Sequence, residues 1–126
     1  LVEIVVRVDM GRYKYIDLPL EKAVEFLERI ATVRGATLDI TESLRYIKNF
    51  DEFYEYMKRK FKDFISPPKD HKEIIEGLVV IQKLKLYVVN DVRMVTLVID
   101  KRVSEDFLHA ILKDIGYAGV LFRKET

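Results

Sequence analysis

The sequence predicts a single α+β domain over residues 1–126, a mixed sheet of about five strands packed with three to four helices. Three observations carry this. Residues 2–18 and 79–99 each alternate apolar and polar residues on both sides of a turn signal, which is the pattern of a β-hairpin. The segments that follow repeat apolar residues at helical spacing. A chain of 126 residues with 49% hydrophobic content, five Gly and three Pro can bury a core of its own without staples. The expected order is β-β-α-α-(α)-β-β-α-β, two hairpins and a C-terminal strand with helices between.

In the first hairpin, Val2, Ile4, Val6 and Val8 share one face of a strand and residues 13–18 form its partner. A loop of Met10, Gly11 and Arg12 pairs Val6 with Ile16 and Ile4 with Leu18, whereas a loop one residue shorter sets Ile4 against Asp17 on the apolar face. The longer loop keeps that face dry and is expected, with Gly11 supplying the positive φ. Pro19 suits the first position of a helix, where its missing N–H is not needed. Ala23, Val24, Leu27, Ile30 and Ala31 continue that helix to an Arg34-Gly35 stop.

Thr41 is a candidate cap for the next helix. Tyr46, Phe50, Phe53, Met57, Phe61 and Phe64 follow at spacings of three and four, and no Gly or Pro intervenes before Ser66-Pro67-Pro68. The simplest reading is one helix from about Glu42 to Ile65, roughly 35 Å long. A break near Asn49 and Asp51 is the alternative. Asp70 and Glu73 make a capping box for a short helix ending at Gly77. Beyond Val79 the pattern turns strand-like, and a tight turn at Asn90-Asp91 sets Val89 against Val92, Leu86 against Val95 and Leu84 against Leu97. Lys83, Lys85, Tyr87, Met94 and Thr96 then occupy the other face. Ser104 caps the last helix, with Val103 and Leu108 placed as a hydrophobic staple. Gly116 ends it, and residues 117–123 read as a last strand reached by a right-handed parallel crossover.

Composition bounds the function. There is no Cys, so neither disulfides nor thiolate zinc sites hold the fold. No apolar run approaches a membrane span, and the stretch opens on a strand-like segment without the order of a signal peptide, so a cytoplasmic location is expected. Two Asn, one Gln and 34% charged residues of both signs match the composition of hyperthermophile proteins. In this, and in its small size without motifs, the chain resembles in kind the small proteins of hyperthermophilic archaea and their viruses, without pointing to a family. The net charge of +1 favours no class of partner, so electrostatic recognition has to come from local clustering.

Motifs for chemistry are scarce. His109 is expected on an exposed helix face, and His71 in a first helical turn where the dipole disfavours its cation. Ser43, Ser66 and Ser104 lie outside any nucleophile elbow, and the five glycines are scattered rather than gathered in a phosphate loop. Asp17 and Asp100, both at strand ends, are the one carboxylate pair worth locating. No cofactor, metal or small-molecule motif is legible.

Two surfaces remain. Lys58, Arg59 and Lys62 fall away from the aromatic stripe, with Tyr56 as a stacking face and Lys83 and Lys85 as a second basic group; together they could track a nucleic-acid backbone. The stripe itself, Phe50, Phe53, Met57 and Phe61, is either the helix's share of the core or, where its length exceeds what one small sheet covers, a twofold interface. The sequence therefore reads first as a non-enzymatic interaction module acting as a homodimer. Second comes a small nucleic-acid-binding or regulatory protein, and third an enzyme on an unfamiliar scaffold.

Overall fold

The computed structural model describes residues 2–125, with the backbone alone at Val2. In chain order the elements are β1 (Val2–Val8), β2 (Lys14–Pro19), α1 (Leu20–Arg34), α2 (Leu38–Lys48), α3 (Phe50–Arg59), α4 (His71–Ile75), β3 (Ile81–Val89), β4 (Val92–Ile99), α5 (Glu105–Asp114) and β5 (Tyr117–Lys124). The strands form one mixed sheet in the order β3-β4-β2-β1-β5. This is the α+β architecture and element order that the pattern predicts.

Both hairpins close in the expected register. Val6 lies opposite Ile16, and Leu84 and Leu86 lie opposite Leu97 and Val95. In the first turn the positive φ falls on Arg12 (71°), not on Gly11. The Arg12 N–H closes a four-residue turn onto the Asp9 carbonyl at 2.9 Å, so the left-handed residue is the last of the turn and Gly11, at its third position, does not take positive φ. In the second turn Asn90 and Asp91 both take positive φ, at 50° and 64°, as a two-residue hairpin with the strands' twist requires.

The segment expected as one long helix is two, followed by a loop. α2 starts at Leu38, not Glu42, and Thr41 lies inside it rather than capping it. Its first N–H, on Leu38, is satisfied from outside by the Glu73 carboxylate at 3.0 Å. The chain leaves helical geometry at Asn49 (φ −110°, ψ 45°), where the side-chain amide donates to the Arg45 carbonyl at 2.9 Å and competes with the helix ladder. α3 stops at Arg59. Ile65 is then extended, exchanging backbone hydrogen bonds of 2.8 and 2.9 Å with Leu84 at the edge of β3. The described residues form five helices for this reason.

β5 lies parallel to β1 on the far edge of the sheet, not beside β4. β4 and β1 both run antiparallel to β2, so β4 and β5 share a direction and the α5 crossover passes two strands. One face of the sheet carries Ile4, Val6, Ile16, Leu18, Leu84, Leu86, Val95 and Leu97, buried under Phe26, Leu27, Ile30, Ile40, Ile47, Leu108 and Ile111 of the helices. The opposite face shows Val5, Arg7, Tyr15, Asp17, Lys83, Lys85 and Tyr87, all exposed or half-exposed. No helix among the described residues is long and apolar enough to cross a membrane.

Candidate nucleic-acid interface

The end of α3 determines the site. A helix leaves its last carbonyls without partners, and here the Phe61 N–H bonds the Lys58 carbonyl at 3.2 Å while the Lys62 N–H bonds the Met57 carbonyl at 2.9 Å. This closing pattern needs a left-handed residue just past the helix, a position usually filled by Gly. Phe61 fills it, with φ 52°. The turn points its ring outward, leaving Phe61 97% exposed.

Cations surround it. Lys58 and Arg59 occupy the last turn of α3, and Lys60 and Lys62 flank Phe61 in the turn; all four are exposed. Lys85 reaches the same place from β3, so that Lys58, Phe61, Lys62 and Lys85 line one concavity of about 460 Å³, with Tyr54 in its wall and Asp63 at its rim. On the other side of Lys62 a second concavity of about 330 Å³ holds Tyr56, Phe53 and Phe64. Lys83 stands over the Phe64 ring at 4.5 Å and Lys58 over the Tyr54 ring at 5.3 Å. Arg59, Lys60, Lys62, Lys83 and Lys85 form no ion pair among the described residues, and Lys58 has a loose one with Glu55 at 4.0 Å. Elsewhere on the surface Arg29, Lys48, Arg93 and Lys124 each have a carboxylate partner.

The fold thus brings Lys58, Lys62 and Lys85 to one hollow and sets Tyr56 beside Lys62 and Lys83 beside Phe64. Arg59 lines neither hollow and projects from the helix end. Lys60 and Tyr54 belong to the basic run with its neighbouring tyrosines and Phe64 to the aromatic series, and the structure adds all three to the site. Their signal is the aromatic-basic interleaving of residues 54–64.

The expected interface stripe does not form a surface. Phe50 and Met57 are buried in the core of their own chain, and Phe53 packs against Tyr46 with ring centroids 4.8 Å apart. Because α3 is ten residues long, the sheet and α2 cover its apolar side. Only Phe61 is left outside.

The open sheet face extends the patch. Tyr15 and Tyr87 hold their hydroxyls on Asp9 and Asp17 at 3.0 and 3.2 Å, and burial followed by the Asp9 bond pushes the Tyr15 hydroxyl pKa up. Burial lowers the pKa of Lys69, which donates to the Pro67 and Gln82 carbonyls; it fastens the loop and is not free for a ligand. Asp17 and Asp100 do not converge. Asp17 accepts from Arg7, Tyr87 and Thr96, and Asp100 from Gln82 and Arg102. His71 and His109 are both exposed, on α4 and α5. Comparison with protein-family models, with curated proteins and with solved structures gave no match to this chain.

Proposed function

We propose that the chain binds single-stranded nucleic acid through the face formed by the end of α3 and the adjoining β3. One observation carries the reading. Phe61, a bulky residue in left-handed geometry and 97% exposed, stands among cations of which, among the described residues, Lys58 alone has an ion pair, a loose one with Glu55. A displayed aromatic ring offers a base a stacking surface, which is worth roughly 1–3 kcal/mol per base, and cations along a groove follow the phosphates. Stacking of this kind requires bases free of a duplex, which is why a single strand suits the site.

Twofold self-association at Phe61 is the competing use of an exposed aromatic. A symmetric contact there would press Lys58, Arg59, Lys60 and Lys62 of one copy against the same residues of the other, and like charges brought together across an interface cost several kcal/mol. A polyanion removes that repulsion, and a second copy doubles it.

The test is fluorescence anisotropy of a labelled single-stranded oligonucleotide at low salt. Replacing Lys58, Arg59 and Lys62 together with Glu is expected to abolish binding while the melting temperature stays near that of the wild type, since all three are exposed. Absence of wild-type binding to DNA or RNA at low salt would contradict the proposal.

A further inference from the structure

The two edges of the sheet are finished differently. Along β3 the edge is partly covered by the Ile65 bridge and the Pro67-Pro68 segment that follows, common ways to blunt an edge. β5 pairs with β1 on one side and, among the described residues, has no strand on the other. The Glu125 N–H donates to the Val8 carbonyl at 2.8 Å. By the alternation of a strand, the backbone groups of Leu121 and Arg123 therefore turn toward β1, and those of Val120, Phe122 and Lys124 turn out to the free edge. Leu121 is 60% exposed on the open face, a large apolar side chain beside unpaired strand groups.

We infer that this edge is a twofold interface, in which β5 of a second copy pairs antiparallel and continues the sheet through both subunits. The register centred on Leu121 is the one the side chains fit. It sets Leu121 against Leu121 of the other copy at a pair without direct hydrogen bonds, where opposed side chains come closest. Val120 and Phe122 then oppose each other twice on the helix side and exchange the backbone hydrogen bonds their outward groups lack. Aromatic and β-branched pairs of this kind favour a sheet.

Charge selects the same register. Gly119 has no side chain, and the Glu3 side chain lies across it: a Cβ built on Gly119 would meet Cγ and Oε2 of Glu3 at 3.1 Å. The Glu3 carboxylate is thereby carried outward from β1 over the edge strand, and it has no ion-pair partner among the described residues. In the register centred on Leu121, Arg123 of the second copy arrives opposite Gly119, over which that carboxylate lies. The exchange occurs twice by symmetry. An unrelated extended peptide would satisfy the backbone of β5 but has no reason to place a cation there, so the occupant is a second copy of this chain.

Sedimentation equilibrium from low to high micromolar concentration tests this. The wild type is expected at twice the 14.9 kDa of one chain. Leu121→Lys places two ammonium groups at the twofold and is expected to raise the dissociation constant on the order of a hundredfold, with melting unchanged apart from what dissociation itself removes. Glu3→Arg and Arg123→Glu are each expected to weaken the dimer by about tenfold, and the two combined in one chain to restore it. A wild type of single-chain mass at high micromolar concentration overturns the inference. So does a Leu121→Lys variant that dimerises with wild-type affinity, or a combined charge reversal no tighter than either single change.

Discussion

Phe61 adopts a backbone conformation that costs a residue with a Cβ about 1 kcal/mol, and its ring makes no compensating burial. Strain of this kind at an exposed position is a reason to look for a ligand. Phe61→Gly is therefore expected to stabilise the fold by about 1 kcal/mol in urea unfolding and at the same time to weaken oligonucleotide binding. A variant that loses stability would place the ring in a structural role. The sequence marks Phe61 as a member of the apolar stripe and not as a turn residue, because Phe argues against left-handed geometry and the helical spacing runs straight through it. Asn90 and Asp91 were legible, because Asn and Asp tolerate positive φ and the strands around them agree. Asp100 makes a second prediction. Burial works to raise its carboxyl pKa, but the hydrogen bonds from the Arg102 N–H, the Arg102 guanidinium and Gln82 outweigh it and hold the pKa below the ordinary 3.8. A carboxylate depressed in the folded state stabilises fully above its unfolded pKa and loses that contribution as pH falls through the folded one. Asp100→Asn should thus be clearly destabilising at neutral pH, with the gap to wild type narrowing as the pH drops below about 4. A constant gap across that range would mean that the charge on Asp100 contributes nothing.

α2 and α3 differ from the single helix that periodicity suggests because three events interrupt it. The Asn49 amide bonds back to the Arg45 carbonyl, the left-handed turn at Phe61 closes α3, and Ile65 is drawn to the edge of β3. The first was visible as an alternative in the residue types. The second is local but falls on a residue type that gives no sign of it, and the third depends on a tertiary contact that spacing cannot report. The consequence is a division within one aromatic stripe, with Phe50 and Met57 serving the core and Phe61 the surface. Met57→Glu, which buries a carboxylate without a partner, is expected to cost more than about 3 kcal/mol and to leave little folded protein on heating. Phe61→Glu is expected to change stability by less than about 0.5 kcal/mol, since surface positions tolerate charge. Circular-dichroism melts of the two variants check this directly, and equal losses would mean that the stripe is not divided. The hairpins, by contrast, were readable as whole elements, since the turn residues and the alternation fix the same pairing.

At the scale of the molecule, the layer architecture followed from the order of elements, and the position of β5 did not. A parallel crossover from β4 is compatible with a place beside β4 or beyond β1; in the fold β3 and β2 flank β4, and that pairing of the two hairpins is a tertiary choice that spacing does not report. The candidate site was legible as residue types and not as a place, because Lys85 joins Lys58 and Lys62 only when β3 is laid against α3. A net charge of +1 also conceals the arrangement: many surface cations are paired with carboxylates, while Arg59, Lys60, Lys62, Lys83 and Lys85, without ion pairs among the described residues, lie along the end of α3 and the adjoining β3. The salt dependence of single-strand binding measures that arrangement directly. If Arg59, Lys60, Lys62, Lys83 and Lys85 each displace a counter-ion from the strand, the logarithm of the binding constant falls against the logarithm of salt with a slope of about −3.5. The Lys58, Arg59 and Lys62 to Glu variant should lose this slope together with its affinity. Binding with a slope near zero, or no retention on a single-stranded DNA column at low salt, would contradict the account.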